Sequence, residues 1–168
     1  MHISLASPDQ YARIAEVTIA AYEGFAATTE SYRKRLADVS SRANDAELWV
    51  ATDADGEILG SVTRCPVGSP WREIARAGEG EFRMLSVTPA AQGAGVGAAL
   101  VRHMIDRCRA EGDRALVLSS TPQMTRAHAI YRRFGFARLP ERDWEPEPDV
   151  QLWAFTLPFT DDDPHTAA

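Results

Sequence analysis

The sequence predicts a single α/β domain built on a mixed β-sheet of about seven strands, flanked by about four helices. Short apolar runs with strand character alternate with segments whose apolar residues recur every three or four positions. Two strand-like runs, 47–52 and 57–64, are joined by Asp53-Ala54-Asp55-Gly56, a turn suited to a hairpin, so the first part of the sheet is antiparallel. A helical segment separates the run at 82–87 from the run at 115–119, which is the crossover that parallel neighbours require. At 168 residues the chain is long enough for one normal core. The domain is expected to span 1–158, with a polar, disordered tail at 159–168.

Taken in order, 3–5 reads as a first strand. Ser7-Pro8-Asp9 opens a helix with serine as N-cap and proline at the first helical position. That helix runs to about Tyr22, with Tyr11, Ile14, Ala15, Thr18 and Ile19 on its buried face and Gly24 as its stop. A second, more charged helix is expected over about 32–41, with few apolar anchors, either as a solvated helix or as a lid on the substrate side. After the hairpin, Pro66, Gly68, Pro70, Gly78 and Gly80 mark a loop, with one helical turn expected at 71–76. Trp71 in that loop either anchors it to the core or caps a pocket.

In the strand at 82–87, Phe82 and Met84 fall on one face while Leu85 and Val87 fall on the other. Either both faces are buried or a bulge shifts the register between Met84 and Leu85. A helix follows, with Val96, Leu100, Met104 and Cys108 along one face, and ends near Gly112. After the compact run at 115–119, Thr121-Pro122 repeats the cap-plus-proline start, and Ala127, Ile130, Tyr131 and Phe134 have the spacing of a buried helix face ended by Gly135. Strands at 136–139 and 151–157 flank a proline-broken acidic loop.

Composition narrows the function classes. A net charge of −6 argues against general nucleic-acid binding, which needs a basic face. No apolar run approaches the roughly 20 residues of a membrane span, and the first residues lack the pattern of a secretory signal, so a cytoplasmic location without membrane association is expected. The two cysteines, Cys65 and Cys108, stand far apart in apolar segments and read as buried thiols, and the four scattered histidines suggest no metal site.

The most informative stretch is 81–102, EFRMLSVTPAAQGAGVGAALVR, where Gly93, Gly95 and Gly97 separate a strand from a helix. Glycines at this density let backbone amides approach an anion, and the helix N-terminus behind them adds unpaired donors. GAGVGA formally fits a dinucleotide-binding pattern, but the insert TPAAQ precedes the glycines and the next strand ends in Ser119-Ser120 without the acid that holds a ribose. A nucleoside-triphosphate loop would need Gly-Lys-Ser/Thr, and Gly97-Ala98-Ala99 stands there.

The stretch resembles the acetyl-CoA site of the GNAT N-acetyltransferase superfamily. Leu85-Ser86-Val87-Thr88-Pro89 followed by Gln92-Gly93-Ala94-Gly95-Val96-Gly97 matches that family's strand and loop, and Ala127 to Phe136 looks like its Ala-x-x-x-Tyr-x-x-x-Gly-Phe segment. The resemblance covers about residues 3 to 157. One departure is Met124, at a position where the family often has Asn seven residues before the tyrosine.

The resemblance implies a GNAT-type sheet and acetyl transfer from acetyl-CoA directly to a primary amine of a small molecule or peptide. Cofactor contacts would come from Leu85, Ser86 and Val87 for the pantetheine arm, and from Gln92, Gly93, Ala94, Gly95, Val96, Gly97 and Ala98 for the pyrophosphate. Ala127 and Tyr131 would complete the set. Tyr131 is the implied acid for the departing thiolate, with a core tyrosine bonded to a backbone carbonyl as the competing reading. Glu81 is the candidate base and Glu79 its neighbour in reserve, against a solvated strand-end glutamate or a base supplied by water. The acceptor would meet the second helix and the 66–80 and 140–150 loops, where Asp143 and Trp144 either bind a cation or anchor their loop. Homodimer formation through the last strands is compatible with the pattern. The rival function is a non-catalytic acyl-CoA sensor or interaction module of the same fold.

Overall fold

The computed structural model describes residues 1–23 and 29–159. Gly24 and the tail from 160 on lie outside the described residues, so the expectations placed there are not addressed by the fold. Strand β1 (His2–Leu5) leads into a 3-10 turn at Pro8–Gln10 and then α1 (Tyr11–Tyr22). Proline thus starts a tight turn ahead of the α-helix, and the Ser7 amide donates to Gln10 Oε1 at 3.0 Å. The buried face of α1 carries Ile14, Val17, Thr18 and Tyr22, so it is rotated from the expected stripe and includes Val17 and Tyr22.

The expected second helix is two helices, α2 (Glu30–Ala37) and α3 (Val39–Asp45), which makes five α-helices among the described residues. Asp38 leaves helical geometry (φ −78°, ψ 69°) and its carboxylate accepts from the Ser41 amide at 3.2 Å, capping α3. A helix-interior aspartate competes with the backbone for hydrogen bonds, which the apolar pattern alone cannot register.

The hairpin is present as β2 (Glu47–Thr52) and β3 (Ile58–Arg64). The 66–78 segment has no helical turn; β4 (Glu79–Val87) begins earlier than expected and is nine residues long, so Glu81 lies inside the strand. Gly80 belongs to that strand because α4 crosses closely: a Cβ there would lie 2.3 Å from Cys108 Sγ. Helix α4 (Val96–Ala110) buries Val96, Leu100, Met104 and Cys108 as expected. Strand β5 (Ala115–Ser120) follows. Helix α5 (Thr125–Arg133) begins after Met124 rather than at Thr121-Pro122. Strands β6 (Ala137–Arg138) and β7 (Trp153–Pro158) complete a seven-stranded sheet in the order β1-β2-β3-β4-β5-β7-β6.

Among the described residues only β4 and β5 run parallel, and β7 inserts between β5 and the short edge strand β6. The main core lies between the sheet and α4–α5, with Phe82, Leu85, Leu100, Met104, Leu116, Leu118 and Phe155 at its centre. On the other face α1 and α3 cover Leu48, Val50 and Ile58, while Tyr22, Tyr32, Leu36, Cys65, Trp71 and Met84 form a third cluster under α2. Phe159, the first residue of the expected tail, packs on the main core and its amide donates to Arg114 O at 2.8 Å. Both cysteines are free and buried, and burial pushes each thiol up to about 12. No helix among the described residues is long and apolar enough to cross a membrane.

Candidate active site

The site starts from a place where the sheet comes apart. The β4–β5 ladder runs from Glu79↔Ala115 to Phe82↔Leu118 and stops, so the β4 backbone beyond Phe82 has no partner on its β5 side. On its other side β4 stays paired with β3 through Ser61↔Ser86 and Gly60↔Val87. Between these pairs and Thr63↔Arg83 the register shifts by one residue at Met84 and Leu85, and Met84 sits at φ 52°. Both alternatives raised by the sequence therefore hold: 79–86 is buried on both faces, and a bulge re-aims the strand. A non-glycine residue at positive φ stores strain, which persists only where the surroundings enforce it.

Leu85 and Val87 line a cleft of about 520 Å³ together with Gln92, Gly93, Gly95, Val96, Gly97, Ala98, Ala127, Ile130 and the end of α1. Gly93 (φ 85°) and Gly95 (φ 83°) take backbone conformations that L side chains rarely adopt, and a Cβ at either would meet open space. Among the described residues no carbonyl accepts from the amides of Gly93, Gly95, Val96, Gly97 or Ala98; the first bond of this end of α4 runs from Ala99 N to Gly95 O at 2.9 Å. These amides form a cluster of unpaired donors at a helix N-terminus. Ala94 differs: its amide is used on Ala91 O at 3.2 Å and the residue does not line the cleft. The Ser86 side chain also turns away, to Ser61 Oγ at 2.9 Å, leaving only its backbone on the β4 edge.

Arg126 and Arg133 from α5 line the same cleft, and Arg126 donates to Gln92 Oε1. Sequence reading missed both as site residues; their helical spacing of seven, on the side of α5 that carries Ala127 and Ile130, is the signal that identifies them. Glu23, which also lines the cleft and pairs with Arg33 at 3.3 Å, is a second omission.

Tyr131 lies beneath this wall, 3% exposed, among the rings of Phe82, His128, Phe136 and Phe155. Its hydroxyl makes no hydrogen bond to the described residues, so the backbone-bonded core tyrosine is not what the fold contains. Burial raises its pKa and keeps the phenol protonated.

Glu81 is fully buried, and its carboxylate accepts the amides of Glu73, Ile74 and Ala75 at 2.9–3.1 Å. It does not line the cleft. These amides point inward onto one carboxylate, which accounts for the missing helical turn: a turn at 71–76 would spend the same donors on carbonyls. The solvated strand-end glutamate is thereby corrected as well, since position 81 is neither at the strand end nor in water.

Glu79 is bound by Arg142 at 2.6 Å and by the Arg76 amide at 2.9 Å; the hydrogen bond from Arg142 holds its carboxyl below the usual range. Asp143 is held by Arg138 at 2.7 and 2.8 Å, and the Trp144 indole donates to Ser119 Oγ at 3.1 Å. Both anchor their loop. Trp71 is 9% exposed under Arg35 and likewise anchors rather than lines the cleft.

The Glu79–Arg142 pair makes a pH prediction. The Glu79 pKa is lower folded than the roughly 4.3 of an unfolded chain, so its stabilisation is present above that value and disappears as pH falls through the folded one. Arg142→Ala should lower Tm at neutral pH and flatten the fall in Tm on acidification. Melting curves from pH 7 to pH 3 check this, and an unchanged acid slope would remove the pair from the stability balance.

Residues 12–136 match the model of the acetyltransferase (GNAT) family. A mycothiol acetyltransferase of Cellulomonas flavigena is 35% identical over 117 residues, covering 62% of this chain and 32% of that protein. The chain spans about a third of the length of the curated relatives it matches. Among solved structures, a GNAT family acetyltransferase from Brucella melitensis in complex with acetyl-CoA is 30% identical with a TM-score of 0.61, covering 97% of this chain and 90% of that one. A GCN5-related N-acetyltransferase from Kribbella flavida is 26% identical with a TM-score of 0.67, covering 94% and 97%. With the splayed β4–β5 pair, the glycine loop and a family match over three quarters of its length, this chain belongs to the acetyltransferase (GNAT) family.

Proposed function

We propose that the protein transfers an acetyl group from acetyl-CoA to the primary amine of a small molecule. The observation that carries this is the convergence, in one cleft, of unpaired α4 amides, two arginines and the open β4 edge. The amides of Gly93 and Gly95 to Ala98 would hold the pyrophosphate, with Arg126 and Arg133 adding charge. The backbone of Leu85, Ser86 and Val87 would pair with the amide groups of the pantetheine arm as a substitute for the strand that β5 does not supply. Behind Met84, held at φ 52°, the Leu85 amide would polarise the thioester carbonyl.

Tyr131 would give its proton to the thiolate as the carbon–sulfur bond breaks, and its burial keeps that proton in place until then. With both oxygens of Glu81 on backbone amides, the amine's proton goes to water in this reading, and Glu81 acts by holding the 73–75 loop.

Thiol release measured with acetyl-CoA over a panel of amines tests the function. Turnover of at least one amine is expected, whereas tight acetyl-CoA binding with no turnover on any of them would favour the non-catalytic module. Within the cleft, Gly95→Ala should cost about 1–2 kcal/mol of local conformational strain and raise the acetyl-CoA KM roughly tenfold, with kcat changed far less. An unaltered KM would detach this loop from cofactor binding.

A further inference from the structure

Outside the cleft, α3 carries a deeply buried cation. Arg42 on α3 is 1% exposed, yet among the described residues no carboxylate lies within ion-pairing distance of it. Its Nη1 reaches the Met84 sulfur at the β4 bulge, while Nε and Nη2 are buried with no hydrogen-bond partner. Desolvation lowers its pKa to about 10, so it remains a cation at neutral pH.

The surroundings do not neutralise it. Arg35 and Arg83 share a single carboxylate oxygen, Glu73 Oε1, at 2.6 and 2.8 Å. Glu81 is committed to backbone amides. Tyr22 and Cys65 around Arg42 are held neutral by burial, and the Asp38 carboxylate caps α3. Two further buried polar atoms on this face of the β3–β4 pair lack partners, Thr63 Oγ1 and Glu73 Oε2. Two guanidinium groups thus share one carboxylate, and the third, Arg42, has none, beside the bulge that aims the cofactor strand. A buried charge without a counter-ion costs several kcal/mol in an ordinary core, and a concentration of unsatisfied polar groups marks a place built for something else.

We propose that this cluster is the acceptor-side anion site: the amine substrate carries a carboxylate that pairs with Arg42, which makes it a small amino-acid-like molecule. The inference rests on the transferase reading and narrows its substrate class. The cover over the cluster is α2, an eight-residue helix that buries only Tyr32 and Leu36 and is tied to the 140–150 loop through Glu147 and the hydroxyls of Thr29 and Ser31. Entry of an acceptor to Arg42 would require this helix to move.

The test has a binding arm and a turnover arm. In the first, the melting temperature of the full chain is followed with a panel of N-acetyl amino acids and their C-terminal amides, as product-like probes that need no catalysis. The acids should stabilise the wild type and the amides should not. Arg42→Met should lose the response while melting at or above the wild-type temperature without ligand, because it removes an unpaired buried charge. Arg42→Lys, which keeps the charge, guards against a misfolded Met variant. In the second arm, free amino acids should surpass their amides in kcat/KM by at least tenfold, and Arg42→Met should erase that preference with the acetyl-CoA KM unchanged. Equal response to acids and amides, no response to any acid, or an Arg42→Met protein that still discriminates would overturn the proposal. Thiol release from no amine at all, with the acid-specific stabilisation intact, would instead defeat the transferase reading and leave the anion site standing.

Discussion

Tyr131→Phe should lower kcat roughly 100- to 1,000-fold, the range expected for loss of a general acid, while the acetyl-CoA KM stays within about a factor of two. The substitution removes one oxygen and leaves the ring among Phe82, Phe136 and Phe155, so packing is retained. A hydroxyl with no hydrogen bond among the described residues has nothing structural to lose there, and Tyr131→Phe should therefore leave Tm unchanged or slightly raised. That combination separates the two roles of a buried tyrosine. A falling Tm with normal kcat would return Tyr131 to the core, whereas a large loss of kcat at constant Tm supports the proton donor. The effect should be greatest with acetyl-CoA and smaller with an acyl donor whose leaving thiol is more acidic, since such a thiolate departs without help.

Glu81→Ala should destabilise the domain by about 3 kcal/mol, because a buried charged acceptor is removed from the amides of three consecutive residues and each is left without a partner. Glu81→Gln keeps one acceptor oxygen and should recover part of that. The consequence travels through the 73–75 loop: Glu73, whose carboxylate binds Arg35 and Arg83, is the first residue Glu81 holds. Loss of the anchor should therefore raise the acceptor KM more than the acetyl-CoA KM. A pH–rate profile decides between anchoring and base catalysis. For Glu81→Gln the acidic limb should keep its position, with kcat reduced at all pH values alike; disappearance of that limb would restore Glu81 as the base.

Local chemistry carried much of the architecture. The hairpin at 47–64 was legible because Asp53 and Gly56 make a turn that few other residues allow, and Asp53 Oδ1 does accept the amides of Asp55 and Glu57 at 2.9 Å. The α4 stripe was legible because its apolar residues recur at helical spacing over fifteen residues. The glycine loop was legible for the same reason: positive φ at Gly93 and Gly95 is a backbone requirement written directly in residue type. The family resemblance rests on these same local features, and Leu85, Val87 and the glycine loop that it names line one cleft.

The amino-acid sequence by itself determined that this chain is an α/β domain with a glycine loop between a strand and a helix, and which residues form that loop. Tertiary structure alone decided what faces that loop and what lies under it. Glu81 looked like a free strand-end carboxylate, but its environment is set by amides that fold back from residues 73–75. Arg126 and Arg133 had no role legible in the sequence, and only the packing of α5 beside the glycine loop brings them to the cleft. Arg42 sits in a short polar helix that appeared weakly held, yet its guanidinium is among the most deeply buried groups in the fold. The reason is common to all three. Conformation and periodicity are properties of neighbouring residues along the chain, whereas burial, pairing and charge balance depend on partners brought from elsewhere in the sequence.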